Sequence, residues 1–130
     1  MAFNYFTERD FDRANPRCKL SDMQEHFMKK LDAARDIAGV PFIINSAYRT
    51  KEHELKQGRD GTSSHCKGIA VDIRAGNSVA RFRILTGLMR AGFTRIGIYG
   101  SFIHVDLDYE KDQDVAWVSL PEERNDHFGI

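Results

Sequence analysis

The sequence predicts an α+β domain with a mainly antiparallel sheet and its helices packed on one side. Three observations carry that expectation. Helix-like and strand-like segments come in groups, without the regular alternation of a doubly wound sheet. The two residues Gly100-Ser101 join two strand-like segments more tightly than any parallel crossover allows. Residues 69–74 and 102–107 alternate strictly between apolar and polar side chains, as strands with one buried face do.

The elements follow in order. Phe3, Tyr5, Phe6 and Phe11 pin an N-terminal arm, residues 1–20, onto the domain, and Asn15-Pro16 marks a loop within it. Ser21 with Gln24 matches a capping box and opens a helix, whose apolar stripe is Met23, Phe27, Leu31 and Ala34. Gly39 ends that helix, and His26 lies on its solvated side. Residues 41–45 read as a short strand and 46–50 as a turn; Thr50 caps a short helix from Lys51 to Gln57. A loop over 58–64 leads into the strand 69–74. Asn77-Ser78 then caps a helix from Val79 to Ala91, with Ile84, Leu85, Leu88 and Met89 inward and Arg81, Arg83 and Arg90 in solvent. Strands over 93–99, 102–107 and 115–118 complete the domain, and residues 121–130 form a loosely held tail.

A chain of 130 residues builds one core without staples, so a single domain spanning 1–130 is expected. Zero net charge and the lack of a basic run argue against broad attraction to nucleic acid. No apolar run reaches membrane-spanning length, and the first residues lack the basic and apolar segments of a signal peptide. The expected product is therefore a monomer made in the cytoplasm, with no membrane partner. Cys18 and Cys66 have no metal or redox spacing and read as reduced thiols.

The chemistry concentrates on two strands. In the first, Ile69, Val71 and Ile73 take the core face, leaving Asp72 on the other face between the small residues Gly68, Ala70 and the longer Arg74. His65 lies just upstream. In the second, Ile103, Val105 and Leu107 are apolar, and Phe102, His104, Asp106 and Asp108 share the opposite face. If the strands are neighbours, His65, Asp72 and His104 converge. Two imidazoles and a carboxylate suit one zinc ion with a fourth position open, the pattern of a catalytic site.

The spacing of Ser63, His65, Gly68, Ala70 and Asp72 resembles the signature of zinc peptidases that cut peptidoglycan. These are the D-alanyl-D-alanine carboxypeptidases and L-alanyl-D-glutamate endopeptidases, which share the Hedgehog/DD-peptidase fold. Residues 45–53 resemble that group's arginine-bearing segment, and 95–106 its closing zinc-histidine strand. The resemblance covers roughly residues 21–119 and implies the same fold, one Zn2+ and the ligands His65, Asp72 and His104. It implies that Arg49 is catalytic, holding substrate or the developing oxyanion, and that Ser63 contacts substrate. Tyr48 and His53 join the substrate-binding set, Tyr48 as pocket wall or core and His53 as a lining or helix-surface residue.

Many members of the group carry a catalytic carboxylate three residues before the last zinc histidine; here Ser101 stands there. Asp106, on the face of His104, is then the expected general base, with Asp108 next and Glu52 or His53 behind. The implied partner is the stem peptide of peptidoglycan. The implied setting is the cell wall, reached as a phage lysin, on a virion or by another export route. The alternative is a zinc-stabilised binding module of the same fold that does not cleave.

Overall fold

A computed structural model describes residues 2–120 of the chain; the tail over 121–130 lies outside the described residues. Among the described residues four α-helices, α1 (Glu8–Asp12), α2 (Glu25–Ala38), α3 (Lys51–Lys56) and α4 (Ser78–Arg90), accompany five strands. The strands are β1 (Ile44–Ser46), β2 (Ala70–Arg74), β3 (Arg95–Tyr99), β4 (Phe102–Asp106) and β5 (Val115–Ser119). They form one sheet in the order β1-β2-β4-β3-β5. The first three pairings are antiparallel, and β5 runs parallel to β3 because residues 107–114 carry the chain back before it pairs. The α+β class and the mainly antiparallel sheet agree with the sequence reading.

One face of the sheet is aliphatic. Val71, Ile73, Ile96, Ile103 and Val105 are buried in one cluster with Phe27, Met28 and Leu31 of α2 and Ile84 and Leu88 of α4. The two long helices approach closely at Gly87, where a Cβ would sit 2.4 Å from the Ala34 carbonyl oxygen and 2.8 Å from Ala38 Cβ. On helix propensity alone, Gly87→Ala would gain about 0.5–1 kcal/mol. The clash with backbone reverses the sign, and we expect a net loss of about 1–3 kcal/mol, read as a lower urea midpoint.

Several boundaries differ from the sequence reading, each for a local reason. Ser21 does not cap α2: it lies in a 3-10 turn, Leu20–Asp22, in which the Asp22 carboxylate accepts the Lys19 N–H at 2.9 Å. The helix starts at Glu25, so Met23 is buried ahead of it. Ser46, read as turn, is the last residue of β1, opposite Asp72. Met89 is exposed, and Gly87 takes the inward position between Ile84 and Leu88. Arg81 is half-buried and donates to the Gly100 carbonyl at 3.2 Å. The N-terminal arm contains α1 and is anchored by Phe6 and Phe11 in the core. The Asp32 carboxylate also holds it, accepting the Asn4 and Tyr5 N–H groups at 3.0 and 2.9 Å.

Candidate metal centre

The face of the sheet opposite the helices carries the polar set. In the β2–β4 ladder Asp72 pairs with His104, and in the β3–β4 ladder Gly97 pairs with the same His104. Directly opposed residues bring their Cβ atoms within about 5 Å, so the first two candidate ligands meet because of register alone. His65 arrives from a 3-10 turn, Ser64–Lys67, capped by Ser63, whose Oγ accepts the His65 N–H at 3.2 Å. The turn ends at Gly68, φ +71°, where a Cβ would meet the Asp22 carbonyl oxygen at 2.5 Å. Glycine is required there on both counts.

Each imidazole is fixed through one nitrogen and presents the other. His65 Nδ1–H donates to the Ala47 carbonyl at 2.7 Å, while the buried Nε2 has no hydrogen-bond partner and lies 3.3 Å from Asp72 Oδ1. His104 Nε2–H donates to Asp106 Oδ2 at 2.7 Å, and Nδ1 faces Asp72 Oδ1 at 3.0 Å. One ligand atom from each of His65, Asp72 and His104 can be chosen so that all lie within 4.8 Å of one another. An orphaned buried nitrogen, a second nitrogen and a carboxylate aimed at one point fit a divalent cation, and the N,N,O donor set suits zinc. Burial disfavours the Asp72 carboxylate, but the His104 and His65 imidazoles that face it outweigh burial and hold its pKa well below the ordinary range. Burial likewise opposes the His104 imidazolium, yet the Asp106 and Asp72 carboxylates raise its pKa above the usual value.

These groups floor a cavity of about 250 Å3 lined also by Arg49, Ser63, Tyr99 and Phe102. Arg49 is held in place: Nε donates to Ser46 Oγ at 2.9 Å, one terminal nitrogen to Glu54 at 3.3 Å and the other to Asp72 Oδ2 at 3.2 Å. Tyr99 stacks on Phe102, ring centroids 4.4 Å apart, and its Oη accepts the Trp117 indole N–H at 3.1 Å. The indole reaches His104, centroid to centroid 5.6 Å, by crossing β3 over Gly97. A Cβ at Gly97 would lie 2.6 Å from the ring.

Of the residues expected at the site, His65, Asp72, His104, Arg49 and Ser63 come together. Four others do not. Asp106 sits behind His104, 1% exposed, where Oδ1 accepts Arg95 Nε at 2.8 Å and the Asp108 N–H at 3.0 Å. With both oxygens engaged and no access to the cavity, it braces the His104 imidazole and is misplaced for a general base. Asp108 is also buried, bonded to Ser64 Oγ at 2.7 Å and to Lys67 Nζ. The Tyr48 side chain packs against the core, and His53 lines a neighbouring cavity with Arg49. Glu52 is exposed on α3.

Sequence reasoning missed Glu54, which is completely buried and binds both Arg49 and Arg59. It missed Tyr99 as well, although β3 alternation places Tyr99 and Gly97 on the face of His104.

Asp108 ties the His65 turn to the end of β4, and this gives a pH signature. Burial raises its pKa, but the hydrogen bonds from Ser64 and Lys67 prevail and the net shift is downward. A carboxyl lowered in the folded state adds stability above its ordinary pKa and loses it as pH falls through the lowered value. Asp108→Asn is therefore expected to be less stable than wild type at neutral pH, the gap narrowing on acidification below about pH 4. Urea midpoints across that range check it.

An α+β domain that gathers two imidazoles and a carboxylate at the base of an arginine-lined cavity has the form of a single-metal hydrolase. The model of the Peptidase M15 family matches residues 5–106, and the chain belongs to that family, which is one of zinc-dependent metallopeptidases. The matched range contains Arg49, all three candidate ligands and Asp106, and stops short of Trp117. No curated protein matches the chain.

Proposed function

We propose that this protein is a zinc-dependent peptidase that hydrolyses an amide bond in the stem peptide of bacterial peptidoglycan. The observation that carries the reading is the convergence of His65, Asp72 and His104 within 4.8 Å, on the floor of a cavity that also holds Arg49. Bound zinc supplies a Lewis acid and a water acidic enough to attack at neutral pH. The remaining roles belong to the chain. Ala47 and Asp106 fix which nitrogen each histidine offers. Arg49 spends three N–H groups on Ser46, Glu54 and Asp72, and a guanidinium has five. The two that remain bind the carbonyl oxygen on which negative charge develops, or a substrate carboxylate. Tyr99 accepts from Trp117 and keeps its own proton to donate into the cavity. Ser63 and Phe102 line the peptide's path. The protein acts on the cell wall as a monomer, as a phage lysin or a virion-borne lytic domain. No helix among the described residues is long and apolar enough to cross a membrane.

One observation favours a second reading, a zinc-stabilised binding module. Among the described residues, Asp72 is the one carboxylate that lines the cavity. Incubation of the zinc-loaded protein with muropeptides, with and without a chelator, separates the two. Chelator-sensitive cleavage supports the peptidase. Bound zinc without cleavage leaves the binding module, and failure to bind zinc removes both.

A further inference from the structure

Beside the metal cavity lies a second one, also of about 250 Å3, lined by Asn15, Pro16, Arg49, His53, Gln57 and Arg59. Arg49 is common to the two. Among the described residues no acidic side chain lines the second cavity, yet two guanidiniums do. Behind them Glu54, 0% exposed, bonds Arg49 through Oε1 at 3.3 Å and Arg59 through Oε2 at 2.5 Å.

A buried carboxylate needs a cationic partner, and Arg49 alone supplies one. Arg49 is shared with Asp72 at 3.2 Å, and the second guanidinium, on Arg59, brings further N–H donors to the cavity wall. Arg59 is about half-exposed, 51%, and of its side-chain N–H groups one is spent, on Glu54. Its backbone N–H is tied to the Glu54 carbonyl at 2.9 Å, which holds the residue beside the helix that carries Glu54. Asn15, whose N–H donates to the Asn45 carbonyl at 2.9 Å, closes the cavity from the N-terminal arm. The wall thus presents a planar cationic fork flanked by amide groups. That is the geometry that takes a carboxylate through paired hydrogen bonds.

We propose that this second cavity is a subsite for a free carboxylate on the peptide substrate, with Arg59 as its clamp. The assignment rests on the peptidase reading, since the subsite adjoins the metal cavity through Arg49. Two sources of that carboxylate fit the same chemistry: the C-terminus of the stem peptide, or an internal glutamate carboxylate beside the scissile amide.

Three muropeptides distinguish them: the free acid, the C-terminal amide, and the form with internal glutamate amidated to isoglutamine. With the zinc-loaded full chain, the free acid is expected to have a KM lower by about tenfold or more than one of the two amides, kcat changing far less. The disfavoured amide identifies the source. Arg59→Gln is expected to collapse that preference, and Arg59→Lys, which keeps the charge for Glu54 but not the fork, to restore part of it. Equal KM values for all three peptides in wild type overturn the subsite, as does an undiminished preference in Arg59→Gln. Should Arg59→Gln fail to fold, the wild-type comparison and Arg59→Lys decide. If no peptide is cleaved the peptidase reading fails on its own, and calorimetric titration of the same three peptides tests the subsite. Tighter binding of the free acid supports it, and equal or no binding overturns it.

Discussion

Asp72→Ala is expected to abolish both metal binding and turnover. Asp72 is the candidate ligand that both histidines face, at 3.3 and 3.0 Å, and it also holds Arg49 at 3.2 Å. Removing it leaves two nitrogens, one from His104, whose cross-strand partner is then alanine, and one from His65 on its turn. Zinc catalysis is worth several kcal/mol of transition-state stabilisation. The expected loss in kcat/KM is about a thousandfold or more. Metal analysis of the purified variant, alongside muropeptide hydrolysis, reads both effects. Retention of one zinc per chain by Asp72→Ala would show that the ion sits elsewhere.

Asp106→Ala is expected to weaken zinc binding by about 10–100-fold, the usual effect of losing the outer partner of a ligating histidine. It also strips three donors of their acceptor: the part-buried His104 Nε2 and Arg95 Nε and the buried Asp108 N–H. Breaking a buried ion pair from one side costs about 3–5 kcal/mol. Arg95 is 12% exposed, so a loss near the lower end is expected, measured by urea denaturation. Asp106→Asn retains an amide oxygen for His104 and is expected to recover most of the zinc affinity, measured by chelator competition. A general base behaves differently: asparagine would then abolish turnover, and alanine would leave zinc affinity as in wild type. The pair of variants decides between the two roles.

The contrast between Asp72 and Asp106 shows what the sequence can carry. Alternation alone put Asp72 and His104 opposite aliphatic faces, and a short connection at Gly100-Ser101 made an antiparallel sheet the natural frame. The same rule put Asp106 on the face of His104, and it does lie there. Two residues along a strand is about 7 Å, however, which moves the side chain from the cavity to the space behind the imidazole. Face is a local property; where a cavity stops is set by the surrounding contacts, here Arg95 from the adjacent strand and the Asp108 N–H just past the end of β4. Glu54 was invisible for a related reason. A glutamate on a short helix looks solvated until Arg49 and Arg59, from segments on either side, close over it. Trp117 was legible as an apolar strand residue, but its reach to His104 depends on the missing side chain of Gly97 one strand away. The start of α2 failed at the level of turns: Ser21 had the right neighbours for a cap, and a 3-10 turn used the segment first.

The ladder contact between residues 72 and 104 has a consequence for how the molecule assembles. Slippage of β2 against β4 by a single step would turn one of the two side chains into the apolar layer and separate the donors. An ion that binds only the aligned sheet lends its binding energy to that alignment over every shifted alternative. The cation would then serve as a proofreader of strand pairing, as well as a reagent.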